Sequence, residues 1–351
     1  MGRKKKFVLA AFLIDILFCA VFIILLKNWI IPVAVNTLGF FCLAVLFVMN
    51  KILLKSNWYK NLFVDYNHER YPDNVWYRKH DERNFDLVNL GSNCSKYAFD
   101  YSDCDIKAMN WAPGSQTLID DFKLIKNFHS ILKDGGIVLI TIMPFTSINK
   151  KVGFIDSFKY CDTLDSTLID EKYRRKCYLL KNFPVLFGKS ALKAFVKVLL
   201  EKDRDNNIQC KTETNPMTDN QLKEDAKHWI DNWKKEFSIS DLSAPLTDEN
   251  LEGRKFRIEV MRNLIDFCIE RGYKPIYVIP PVTQYLDKYF SDSFKKIYIY
   301  NFLEEVARTI PLLDYSNDTT LMDKDLYFNS YFLNMSGAKV FTKKVLSEIK
   351  R

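Results

Sequence analysis

Four consecutive small residues, Ser92, Asn93, Cys94 and Ser95, follow an apolar run that ends at Gly91. Hydroxyls and a thiol are side chains of covalent catalysis, but they become nucleophiles only when a base stands within hydrogen-bond reach. Imidazole is that base in the best-known case, and a carboxylate orients it. The chain holds four histidines, His68, His80, His129 and His228, and none follows the last of these. His129 falls near a helix end and reads as a surface or capping residue. His228 stands beside Trp229 on a helix of an insertion. His68 and His80 precede the main domain. Cys94 is the most reactive of the small residues if its thiol is acidified; with no base in evidence it reads as a side chain packed under a turn. Asp314, Asp318, Asp323 and Asp325 cluster late in the chain, but without the spacing of a cation loop they read as a solvated turn or helix caps. No metal and no cofactor are expected.

The elements that must position these residues alternate between strand and helix. Phe85–Leu90 reads as a short strand, 106–109 as a weaker one, and 137–142 as a strand buried on both faces. Between them, Leu118, Phe122, Ile125, Phe128 and Leu132 repeat at helical spacing, and Asp134-Gly135-Gly136 is expected to stop that helix. Residues 254–271 form an amphipathic helix stopped by Gly272. Strands are expected at 275–279 and 312–315 and a closing helix at 336–349. Residues 151–250 read as a helix-rich insertion, with a polar stretch at 203–220. Such alternation predicts an α/β fold with a parallel sheet and helices on both faces. Sites in such sheets lie at the carboxyl ends of strands, where the segments above fall.

Those loops resemble the SGNH/GDSL hydrolase superfamily, in particular its membrane-anchored branch associated with cell-envelope polysaccharide and teichoic-acid modification. The first block is Leu90-Gly91-Ser92-Asn93. The second is Asn110-Trp111-Ala112-Pro113-Gly114-Ser115-Gln116-Thr117, in which the resemblance gives Gly114 an oxyanion-hole role. Val278-Ile279-Pro280-Pro281-Val282 resembles a strand end of that branch. The last block runs from Asp325 to Ala338 and contains Asn329-Ser330-Tyr331-Phe332-Leu333-Asn334. The resemblance covers about 85–344 and implies a flavodoxin-like parallel sheet. It also implies a lost active site. The nucleophile position holds Asn93, the triad acid position Asn329 and the triad histidine position Phe332, while Met143-Pro144-Phe145 stands where a further family asparagine is expected. Phenylalanine accepts no proton, and asparagine is neither a useful nucleophile nor an anion. No catalytic residue is therefore assigned; Ser92, Cys94 and Ser95 are the candidate substitutes, and Gly91, Asn93, Asn110, Gly114 and Asn329 the candidate binding residues.

Before this domain, Phe7–Leu26 and Trp29–Met49 form an apolar stretch too long for one span of about 20 residues. Lys27, Asn28 and Pro32 interrupt it. A transmembrane helical hairpin over 1–55 is expected, followed by a linker over 56–84 and the SGNH-like domain over 85–351. A single span beside an interfacial helix is the alternative. Asp15 is costly in lipid and should face a partner helix or the interface. Residues 1–55 carry six of the chain's eight net positive charges. The basicity thus belongs to membrane flanks, not to a nucleic-acid-binding surface. With two spans, the positive-inside rule places the large domain in the cytoplasm; with one, outside. The eight cysteines show no CxxC spacing, so reduced thiols are expected rather than zinc or a disulfide framework.

Three functional expectations follow. The first is a membrane-anchored pseudoenzyme that binds an envelope glycan, a lipid-linked polysaccharide intermediate or a membrane enzyme. The second is an active O-acyl esterase or acyltransferase with a non-standard nucleophile. The third is a membrane scaffold whose old cleft is filled, with Phe332 as the plug.

Overall fold

A computed structural model describes residues 16–17, 19–21, 23–24, 29–60, 62–63, 82–112, 114, 116–148, 158–200, 202 and 216–349. Most of the first apolar segment, with Asp15, Lys27 and Asn28, lies outside these residues. So do His68, His80, Pro113, Ser115, Cys210, most of the linker and most of the polar stretch at 203–220.

The principal elements run, in chain order, α1 (Ile30–Leu53), β1 (Phe85–Leu90), α2 (Asn93–Ala98), β2 (Ala108–Asn110), α3 (Leu118–Phe128), β3 (Leu132–Thr141), α4 (Glu171–Asn182), α5 (Lys189–Leu199), α6 (Asp219–Glu236), α7 (Asp248–Glu270), β4 (Lys274–Ile279), β5 (Leu312–Asp314) and α8 (Met335–Ile349). The fold is α/β. Its five strands form one parallel sheet in the order β2-β1-β3-β4-β5, so the winding direction reverses between β1 and β3. Leu87, Leu139 and Val278 on one face pack with Phe341 and Val345 of α8 and Ala98 of α2. The alternating residues Val88, Val138 and Ile140 are equally buried, while α3 and α7 pack on each other and α7 on β4.

Local chemistry sets the helix starts. Thr117 and Asp120 form a reciprocal capping box on α3, Thr218 and Gln221 another on α6, and Thr247 caps α7. Such caps satisfy orphan N–H groups of the first turn. The Thr247 cap starts α7 six residues before Arg254, where the periodicity placed it; Gly272, at φ 74°, follows its end as expected. Asp134-Gly135-Gly136 departs from expectation. The helix has already ended at Phe128, followed by a single 3-10 turn, and these residues lie inside β3. Phe85 pairs with Leu132 and Leu87 with Ile137, so β3 carries extra residues against β1 and bulges at Gly135, φ 71°. Glycine suits both a helix stop and a bulge, and strand pairing decides between them.

The chain forms two compact units, 1–60 with 178–205 and 61–177 with 206–351. The expected insertion is thus shared between them. In the first unit, α1 is the one helix among the described residues that is long and apolar enough to cross a membrane. Its end packs through Met49 and Leu53 onto Ala191 and Ala194 of α5. Asn50 donates to the Asn182 carbonyl at 3.0 Å and accepts from the Val185 N–H at 3.3 Å. The sheet belongs to the second unit. There Cys161 and Cys177 form a disulfide, correcting the expectation of reduced thiols, while Cys94 and Cys268 are buried outside it. The pair is separated by 16 residues and is joined by the fold, not by a recognisable sequence spacing.

Candidate functional site

The chain leaves β1 through Gly91, at φ 131°, whose N–H donates to Asp121 Oδ1 at 2.8 Å. A Cβ at Gly91 would lie 2.8 Å from Ser95 Cβ and 3.0 Å from Thr141 Cβ, so both space and backbone require glycine. The turn delivers Ser92 and Asn93 to a cleft of about 580 Å³. It opens beyond the ends of β1 and β3, where the winding reverses and ligands of such sheets bind. Its polar floor includes Asn93, Gln116, Asp121, Thr141 and Arg257; Trp229, Trp233, Phe145, Tyr331 and Phe332 supply an aromatic wall; Glu236 and Glu249 are exposed carboxylates on its lining.

Asn93 and Gly114 meet. A Cβ at Gly114 would stand 2.8 Å from Asn93 Oδ1, and Lys159 donates to the Gly114 carbonyl at 3.1 Å. Gly91 and Asn93 line the cleft, but Asn110, Gly114 and Asn329 are not among its lining residues. Asn110 is buried: its amide accepts from Asn89 at 2.8 Å and the Ala112 N–H at 3.0 Å and donates to the Lys96 and Phe99 carbonyls. It fastens the β1 and β2 loops together. Asn329 accepts from the N–H groups of Tyr331 at 2.9 Å and Phe332 at 2.7 Å, holding its own turn.

The three candidate substitute nucleophiles separate by environment. Ser95 donates to the Leu90 carbonyl at 2.8 Å, accepts from Asn89 at 2.9 Å and shares a 2.7 Å hydrogen bond with Thr141. Its hydroxyl is committed to the strand-end turn. Cys94 is buried, and burial pushes its thiol up to about 12, against a weaker opposing hydrogen bond with Tyr331. Ser92 borders the cleft directly. Phe332 sits among rings, 4.6 Å from Tyr331, 5.0 Å from Tyr97 and 5.4 Å from Trp229 between centroids. It is wall material and leaves the cleft open beside it. His129 caps the end of α3, in the 3-10 turn before β3, as its place near a helix end led one to expect; its ring nitrogen is 3.3 Å from the Tyr273 hydroxyl, and burial lowers its pKa. His228 is exposed on α6. No histidine is among the cleft-lining residues.

Sequence reasoning missed the charged floor. Asp121 accepts from Gln116 as well as Gly91, and Gln116 in turn accepts from Tyr160 at 2.8 Å. Burial pushes the Asp121 carboxyl up to about 7, with the hydrogen bonds from Gln116 and Gly91 opposing, and it raises Asp120 as well. Burial depresses the Arg257 guanidinium to about 10, opposed by the charges of those two acids. Two acids in the first turn of a helix look like ordinary dipole partners in a sequence, so only Gln116, within the second block, carried a hint. Among the described residues no group of His, Cys, Asp or Glu could hold a metal. The late acids serve turns instead: Asp318 accepts from Thr320 and Asp314 from the Ser316 N–H.

The cleft can accept and donate hydrogen bonds and offer ring faces, and Trp229 Nε1 is buried without a hydrogen-bond partner. The described groups on it include no base poised beside a nucleophile. No protein-family model matches this chain, and no curated protein sequence matches it.

Proposed function

We propose that this chain is a membrane-anchored, SGNH-hydrolase-like binding protein without the hydrolytic triad. Its cleft takes a glycan or lipid-linked polysaccharide intermediate, in the setting of envelope polysaccharide assembly or modification. The observation that carries the reading is an open cleft whose wall holds Phe332, with Asn93 facing Gly114 and no imidazole among its lining residues. A strand order of 2-1-3-4-5 is that of flavodoxin-like sheets, which supports the family resemblance. Aromatic walls beside carboxylates and amides suit a sugar ring, which has apolar faces and a polar edge. The open cleft weighs against the filled-scaffold reading. α1 supplies the anchor. The positive flanks favour the cytoplasm for the large domain if the first apolar segment also spans; the Cys161–Cys177 pair fits the outer side, because disulfides persist in oxidising compartments.

The acyl-transfer alternative rests on Ser92, which borders the cleft that Asp121 floors. Hydrolysis of p-nitrophenyl acetate by the purified chain decides between them, with the Asn93→Ala, Cys94→Ala and Ser92→Ala variants alongside. The expected result is the buffer rate for all four. In the same preparation, envelope polysaccharide fragments should quench tryptophan fluorescence, and Trp229→Ala should lose most of the change. Turnover that Ser92→Ala abolishes would make the chain an enzyme.

A further inference from the structure

α5 presents three different faces. Ala191 and Ala194 are fully buried against Met49 and Leu53 at the end of α1. Leu192, Val196 and Leu199, at i, i+4 and i+7, share a second face and are 56%, 45% and 60% exposed. Lys189, Lys193 and Lys197, each four residues apart and all exposed, form a third stripe. Phe183 and Leu186, just before the helix, are also exposed apolar residues in this unit. An isolated exposed leucine needs no explanation, but a helical stripe of them does.

The location of this helix identifies what covers the stripe. α1 is about 36 Å long at 1.5 Å per residue, against a hydrocarbon core of about 30 Å. Its Met49–Leu53 end, followed by Lys55 and Lys60, therefore emerges at the headgroups. That end is where α5 docks, tied also by Asn50 to the Asn182 and Val185 backbone and by an edge-to-face contact of Trp58 with Phe187 at 5.7 Å. We propose that α5 is a second membrane contact, an amphipathic helix lying in the interface of the bilayer that α1 crosses. Leu192, Val196 and Leu199 enter the acyl boundary, and the lysine stripe meets acidic phospholipid headgroups. Long lysine stems reach headgroups while their methylenes stay in apolar surroundings, and a helix of this pattern binds by apolar burial plus attraction to anionic lipid. A second copy of the chain is the competing occupant; the lysine stripe beside the apolar one favours the anionic surface.

The proposal rests on α1 spanning the membrane, and its test separates the two. A benzophenone amino acid replaces Val196 in one full-length chain and Leu43, mid-way along α1 and exposed, in another. Both are reconstituted in nanodiscs containing phosphatidylglycerol and irradiated. The expected result is a mass increase of one phospholipid at both positions. Introducing Leu192→Glu and Leu199→Glu should lower the adduct at 196 at least tenfold and leave that at 43 unchanged. Replacing phosphatidylglycerol by phosphatidylcholine should lower it severalfold. An adduct at 43 with none at 196, or a protein–protein adduct at 196, overturns the α5 assignment and leaves the anchor standing. Lipid adducts at neither position overturn both. Insensitivity of the 196 adduct to lipid charge overturns the role given to the lysines.

Discussion

Cys94 shows how position and environment part company. It stands next to Asn93, which the SGNH/GDSL resemblance would put at a nucleophile position, yet burial pushes its thiol up to about 12, against an ordinary 9.0. Reactivity follows the thiolate, so the fraction available near pH 8 is lower by about a thousandfold than for an ordinary cysteine. Iodoacetamide at pH 8 should therefore modify Cys104, which is partly exposed, well before Cys94, as read by mass spectrometry of the folded chain. Comparable labelling of the two would revive the thiol as a nucleophile. Asn93 is the opposite case: its carbonyl lies against Gly114, in contact with the cleft, with no acid or base function to contribute.

At the scale of elements, the β1–α2 turn depends on glycine twice over. Gly91 combines a positive φ with neighbours that a methyl would overlap. Strained φ and overpacking each cost about 1–3 kcal/mol, so Gly91→Ala should destabilise the fold by about 3 kcal/mol. Gly135 also has positive φ, but a Cβ there would meet open space; Gly135→Ala should cost about 1 kcal/mol. Chemical denaturation of the detergent-solubilised chain, compared across the two variants, checks the difference. Equal losses would mean that the tight packing under the β1 turn contributes nothing.

Over the whole molecule, the buried Asp120–Asp121–Arg257 floor makes stability depend on pH. Asp121 titrates at about 7 when folded and near 3.8 as an ordinary aspartate. Between those values the folded chain binds a proton that the unfolded chain has released. Stability contributed by that proton is complete below about pH 4 and is lost as pH rises through 7, at up to about 1.4 kcal/mol per pH unit. Asp120 shifts in the same direction. Asp121→Asn keeps an acceptor for Gly91 and Gln116, so denaturation midpoints measured at pH 4.5, 6 and 8 should fall less steeply than for the native chain. An unchanged slope would mean that Asp121 stays ionised when folded. Asp121 and Arg257 also line the cleft, so ligand binding should share this pH window.

The sequence by itself determined the α/β class, the parallel sheet, the apolar helix near the N-terminus and the placement of Gly91 and Asn93 at a strand end. Each follows from local signals: apolar periodicity, glycine punctuation and strand-ending loops. The absence of any histidine after His228 was equally plain. Tertiary structure decided what periodicity cannot express. It made Asp134-Gly135-Gly136 a bulge because β3 had to stay in register with β1. It buried Asn110, whose amide must then find partners and so ties two loops together, and it set Asn329 to hold its own turn. It joined Cys161 to Cys177, divided the insertion between two units, and brought Arg257 to the neighbouring pair Gln116 and Asp121 at the cleft from far along the chain.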